Sequence, residues 1–188
     1  AVESERPASE SAFAGLPIGS DRLAFLVDFS GSMWEEADDG RTRKEHADEK
    51  LQSALESLAP ETVFDVVPYA DEPKPIFGEL REAAPKNVKK AAESFRKCRI
   101  KGKGNVYDAI ELVLAETDAD TLVILCDGAP TGGNRWNVEL MAELFAERAR
   151  YRPAVIDIVL VGAPKHLTET WTKICEASGG WVHTSEEL

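Results

Sequence analysis

Two apolar runs in this chain end on aspartate. Leu23–Val27 (LAFLV) leads into Asp28-Phe29-Ser30-Gly31-Ser32, and Thr121–Cys126 (TLVILC) leads into Asp127-Gly128. A carboxylate closing an apolar strand is informative, because a buried charge without partners is costly. Ser30 and Ser32 add two hydroxyls just beyond the first run. Two carboxylates and two hydroxyls are all hard oxygen donors, a set that suits Mg²⁺ or Mn²⁺ rather than zinc. Magnesium takes one or two carboxylates and keeps several waters, so a set of this size suffices. Each motif alone has a plainer reading. The first can be a capped strand-to-helix turn whose side chains bond local amides, and the second a simple Asp-Gly turn. Their pairing is what favours a shared site.

Such a site needs a scaffold that brings two strand ends together. Strand patterns fall at 23–29, 62–67, 121–126, 155–161 and 181–183, with a short proline-flanked edge strand expected at Lys74–Phe77. Helical periodicity falls between them: Ala47, Leu51, Ala54, Leu55 and Leu58 share one face, as do Val106, Ile110, Val113 and Leu114. Further helices are expected at 86–98, 137–151 and 167–177. The runs at 121–126 and 155–161 lack the polar alternation of a half-exposed strand, as in a parallel sheet covered on both faces. The fold class is therefore α/β, a doubly wound, mainly parallel central sheet flanked by helices. Ligands in such sheets sit beyond the carboxyl ends of the strands, where both aspartates fall. Residues 1–20 mix Glu, Ser, Ala, Pro and Gly without periodicity and read as a linker or flexible tail, leaving 21–188 as the domain.

The motifs together resemble a known family. DFSGS (Asp28–Ser32) is similar to the Asp-x-Ser-x-Ser signature of the von Willebrand factor type A (VWA) domain and its metal-ion-dependent adhesion site (MIDAS). CDGAPT (Cys126–Thr131) resembles the segment with the family's second metal-binding carboxylate, and GKGNVYDAIELVL (Gly102–Leu114) the segment that opens with a metal-site threonine. The resemblance implies a Rossmann-like fold and a Mg or Mn site. Ser30 and Ser32 would bind through their hydroxyls, and Asp28 and Asp127 directly or through waters. It also implies a metal-dependent, non-catalytic protein-binding module, with an acidic residue of a partner protein completing the coordination. One departure stands out. The threonine position falls on Gly104, which offers no hydroxyl. The glycine either answers a backbone need for positive φ or marks a weakened or vestigial site. Asn105 and Asp108 are the nearest polar substitutes.

Composition narrows the alternatives. The 188 residues carry a net charge of −12, which argues against a nucleic-acid binder held by a basic surface. No apolar run approaches the ~18 residues of a membrane span. Three cysteines without CxxC spacing suggest neither a disulfide framework nor a zinc ribbon. No leader pattern opens the sequence, so a signal peptide is expected to be absent or removed; the compartment stays open, with a lean to the extracytoplasmic side. Residues 86–103 hold eight Lys and Arg against one Glu, net +7, while the other 170 residues carry −19. The run is either a solvated helix face or a positive rim that draws in an acidic partner. Trp34, Lys101, Lys103, Gly104, Asn105 and Trp136 are the candidate rim. Enzyme signatures do not fit: the dehalogenase-type second Asp is replaced by Ser30, and neither G-x-S-x-G nor a P-loop is present. A phosphoryl-transfer or hydrolytic enzyme and a metal-free scaffold remain the alternatives.

Overall fold

The computed structural model describes residues 12–37, 39–133, 135, 137–148 and 150–185. A hairpin of β1 (Ala12–Phe13) and β2 (Leu16–Pro17) precedes β3 (Arg22–Asp28), a 3-10 turn at Gly31–Trp34, α1 (Arg43–Glu56) and β4 (Val63–Tyr69). Then come β5 (Arg81–Glu82), α2 (Pro85–Lys97), α3 (Val106–Glu116), β6 (Thr121–Cys126), α4 (Val138–Arg148), β7 (Val155–Val161), α5 (Lys165–Ser178) and β8 (Val182–Ser185). The main sheet runs β5-β4-β3-β6-β7-β8 and is parallel except at β5. From β3 the chain winds outward to β4 and β5, then crosses back to β6 and outward the other way. The β3/β6 junction is therefore the point where strand order reverses.

Side-chain alternation along each strand feeds two cores, which is why the central strands read as unbroken apolar runs. Leu23, Phe25 and Val27 pack with Leu51 and Leu55 of α1 and Phe95 of α2. Ala24 and Leu26 pack on the other face with Ile110 of α3, Met141 of α4 and Trp171 of α5. Helix α1 starts where Thr42 and Glu45 form a capping box. The carboxyl end of α2 is closed from outside: buried Lys44 of α1 pairs with Asp48 and donates to the Arg96 carbonyl at 3.0 Å. That places a cation on the negative end of the α2 dipole.

Two sequence expectations need correction. Residues 12–18, assigned with 1–20 to a linker or tail, are part of the fold: Phe13, Leu16 and Ile18 are buried in the first core. Their apolar positions are too few for periodicity to show, and tertiary packing recruits them. Lys74–Phe77 is not a regular strand, and the edge is β5. The Lys74 and Ile76 N–H groups do reach the Pro68 and Val66 carbonyls of β4, but β4 returns no ladder bond: Pro68 has no N–H, and the Val66 N–H goes to the Asp65 carboxylate.

Two further buried aspartates lie inside strands. Asp65 of β4 is 1% exposed and accepts the N–H groups of Val66, Phe77 and Gly78. Burial pushes its carboxyl up to about 6, against those three hydrogen bonds. Asp157 of β7, fully buried, accepts the Trp181 N–H at 2.9 Å, just before β8 begins.

Candidate functional site

Asp28, the last residue of β3, is 2% exposed, and its Oδ1 accepts the Ser30 N–H at 2.6 Å. This bond folds the chain back over the strand end, and the Met33 N–H to the Ser30 carbonyl continues the turn. The Ser30 and Ser32 hydroxyls consequently stand 3.2 Å apart. Ser32 Oγ donates to Asp127 Oδ2 at 2.9 Å, across the junction of the two central strands. The other Asp127 oxygen accepts the Ala129 N–H. All four strand-end residues singled out from the sequence thus meet at the carboxyl edge. Burial pushes the Asp28 carboxyl up to about 7, and the negative charge of Asp127 acts in the same direction against the Ser30 amide.

The spacing bears on whether the group could hold a cation. Mg²⁺ bonds oxygen at ~2.0–2.1 Å in an octahedron, so neighbouring ligand oxygens stand about 2.9 Å apart. The Ser30–Ser32 and Ser32–Asp127 separations, 3.2 and 2.9 Å, are close to that edge. The donor chemistry and the spacing fit a hard divalent ion. Among the described residues no group of three or more His, Cys, Asp or Glu side chains is arranged to hold a metal, so a metal here would rely on the serine hydroxyls.

A third segment closes the mouth. Ser30 and Gly102 form an isolated parallel bridge. Asp71, in the loop after β4, accepts the Lys103 N–H at 2.9 Å, and a Cβ at Gly102 would collide with the same carboxylate. Gly104 comes closest to Asp28: a Cβ there would stand 3.1 Å from Asp28 Oδ2. Its φ lies outside the left-handed region, so the backbone does not require glycine, and that reading of Gly104 is set aside. Neither proposed substitute is free. Asn105 caps α3 by accepting the Asp108 N–H, and donates to the Asp71 carbonyl and to the Asp108 carboxylate. Both side chains hold the helix start.

Of the rim candidates, Trp34 ends the 3-10 turn with its ring edge-on to Phe29, and the Lys101 ammonium lies 4.6 Å from its centroid. Lys103 and Gly104 belong to the closing segment. Trp136 lies outside the described residues. Three participants went unnoticed in the sequence. Asp71 sits in a loop with no pattern to flag it. Tyr69, at the end of β4, is fully buried beside Asp28 and Asp127. Thr131 Oγ1 accepts the Gly104 N–H at 2.9 Å; its signal was a hydroxyl four residues past the second strand-end aspartate.

A doubly wound α/β domain with an oxygen-lined site at its topological switch point defines a Rossmann-like class. Within it, this chain belongs to the von Willebrand factor type A domain family, whose model matches residues 23–129. It is 26% identical over 130 residues to the mouse inter alpha-trypsin inhibitor heavy chain 4, covering 63% of this chain but only 13% of that protein. Among solved structures it resembles a von Willebrand factor type A protein from Catenulispora acidiphila, with TM-score 0.68, 18% identity, and 88% of this chain and 38% of that one covered. It also resembles the SpRpn10 VWA domain, with TM-score 0.62, 15% identity, and 88% and 89% covered. At these identities the structural likeness speaks to the fold. Domains of this family typically mediate protein–protein interactions and are mostly non-enzymatic. No helix of the described residues is long and apolar enough to cross a membrane.

Proposed function

We propose that this domain is a metal-dependent protein-binding module of the MIDAS kind. Asp28, Ser30, Ser32 and Asp127 hold Mg²⁺ or Mn²⁺, and an acidic residue of a partner protein fills a remaining position. The observation that carries this reading is the run of three oxygens, Ser30, Ser32 and Asp127, at octahedral-edge spacing. The metal supplies a Lewis-acidic point for a carboxylate. The chain's own residues orient the hydroxyls, through the Asp28–Ser30 bond, and flank the mouth with Trp34, Lys101 and Lys103. That basic rim, in a chain otherwise strongly negative, favours an acidic protein over nucleic acid.

Titrating Mn²⁺ into the metal-free protein by calorimetry tests the reading. Saturable binding is expected, lost in Asp28→Ala and Ser32→Ala. A second reading, a metal-free scaffold, is favoured by Gly104 and by the direct Ser32–Asp127 bond, which satisfies both groups without an ion. Absence of Mn²⁺ heat at millimolar concentration would establish it instead.

A further inference from the structure

The Gly102-Lys103-Gly104 tripeptide lies between two carboxylates, and each of its glycines meets one of them. A Cβ at Gly102 would fall on the Asp71 carboxylate, and one at Gly104 would stand 3.1 Å from Asp28 Oδ2. Neither glycine has a positive φ, so a side chain at either would cost room for these oxygens rather than backbone conformation. The loop after β4 holds the residues on both sides of Gly104. Asp71 Oδ1 accepts the Lys103 N–H at 2.9 Å, and the Asp71 carbonyl accepts the Asn105 side-chain amide at 3.0 Å. The Asn105 N–H donates to the Ala70 carbonyl at 3.0 Å. Of these three bonds, the first alone depends on the Asp71 side chain. The segment held in this way is the one that lies against the strand-end oxygens, since Gly102 forms a parallel bridge with Ser30 and Gly104 adjoins the Asp28 carboxylate.

We infer that Asp71 is a positioning residue for the metal site: its carboxylate locks the Gly102–Gly104 segment against Ser30 and Asp28, and position 102 is glycine to make room for that lock. The inference rests on the metal-binding reading above. Asp71 does not need to reach the ion, because it acts through the backbone it holds. A side chain at 102 is admitted only by parting the carboxylate from the segment, which breaks the bond to the Lys103 N–H. Changing either partner therefore releases the same segment.

The test combines Mn²⁺ calorimetry with amide hydrogen exchange of the metal-free protein, on wild type, Asp71→Ala, Asp71→Asn, Gly102→Ala and the Asp71→Ala/Gly102→Ala pair. The bond given up is a single exposed one, so the Tm of the metal-free single variants should fall by no more than about 4 °C. Asp71→Ala and Gly102→Ala should each speed exchange of the Lys103 amide. Each should also weaken Mn²⁺ binding ~10-fold, the low end of the loss when a group that orients a ligand is removed. Asp71→Asn keeps an oxygen acceptor and loses only a screened charge, so its affinity should stay within about twofold of wild type. In the pair the two losses should not add, because the new Cβ then meets no carboxylate. Wild-type affinity or unchanged Lys103 exchange in Asp71→Ala, or additive losses in the pair, overturns the lock while leaving the metal reading intact. An equal loss in Asp71→Asn and Asp71→Ala overturns it as well, by showing that charge alone is at work. A larger fall in Tm assigns Asp71 to the fold instead. Absence of Mn²⁺ binding by wild type overturns both the metal reading and the role of Asp71 in it.

Discussion

Four aspartates lie in or immediately beyond the inner strands of the sheet, and they divide by position. Asp28 and Asp127 stand at the carboxyl ends of the central pair, β3 and β6, where each accepts one amide of its own turn and also faces a serine hydroxyl. Asp65 and Asp157 stand at the third residue of the flanking pair, β4 and β7, and face backbone N–H groups of the neighbouring edge segments. The edge strands β5 and β8 are short, with two and four residues, so the amides near them find no ladder partner. A buried unpaired N–H is expensive, and a mid-strand carboxylate supplies the missing acceptor. The same residue type thus completes the sheet at its flanks and, in the proposed metal-binding reading, supplies oxygens to an ion at its centre. Stability and binding should accordingly separate by strand.

The sharpest break of that comparison is Asp65→Ala. It leaves the amides of Val66, Phe77 and Gly78 without their acceptor. At ~1–3 kcal/mol for each buried group left unpaired, the Val66 and Phe77 amides together put the expected loss at about 3 kcal/mol, and the exposed Gly78 adds less. For a domain of this size that lowers the melting temperature by about 6–12 °C. Mn²⁺ affinity of the folded fraction should not change. A weakened metal site at unchanged stability would reverse the assignment of the two aspartate classes.

The next effect is a pH dependence that belongs to the flank. Burial raises the Asp65 carboxyl from 3.8 to about 6. Between those values the native state keeps a proton that the unfolded chain releases. Stability therefore falls as pH rises through that window, by on the order of 1.4 kcal/mol per unit, and levels off above it. Asp28 acts in the same direction up to about 7. Urea unfolding of wild type and Asp65→Asn from pH 4 to 7.5, without metal, separates them. The difference between the two curves should change from pH 4 to 6 and be flat beyond. Parallel curves throughout would mean that the three amides offset burial and hold Asp65 ionised.

How much of this was legible beforehand follows the same division. The strand-end aspartates stood out because each closes an apolar run and is followed by small polar residues, so the α/β class and the central constellation could be read from spacing. Asp65 and Asp157, inside FDVV and VIDI, carry no such marker, because the edge-segment amides they accept lie 12 to 24 residues away. The buried hairpin at 12–17 was missed for a related reason: two-residue strands have no period. Asp71 and Thr131 act through backbone bonds that form only when three loops meet, so their positions depend on closure of the whole edge.

At the centre of the sheet the expected effect is smaller in stability but specific. A metal that binds only the native state stabilises it by mass action. Mg²⁺ or Mn²⁺ at about ten times its dissociation constant should contribute ~1.4 kcal/mol, or about 3–6 °C in melting temperature. Asp65→Ala should keep this increment on its lower baseline, whereas Asp28→Ala and Ser32→Ala should lose it. An increment that survives in Ser32→Ala would place the metal elsewhere.

The smallest expected effect probes the floor beneath the central pair. Asp28 and Tyr69 are register partners in β3 and β4, and the fully buried phenol makes no well-formed hydrogen bond, with the Cys126 thiol beside it a weak partner at best. Burial and the two nearby carboxylates push its ionisation well above the usual tyrosine range, so it stays a neutral donor. Tyr69→Phe removes an unsatisfied hydroxyl while keeping the ring. If the floor only fills space, the metal-free variant should be as stable as wild type or up to ~1 kcal/mol more stable, because desolvation of the hydroxyl is no longer opposed by a bond. Mn²⁺ affinity should change by less than about twofold. A clear loss of stability would instead reveal that the phenol donates to Asp28 in solution, making the flanking strand β4 a contributor to the central site and blurring the separation between the two aspartate classes. Urea melts of both proteins with and without Mn²⁺ distinguish these outcomes.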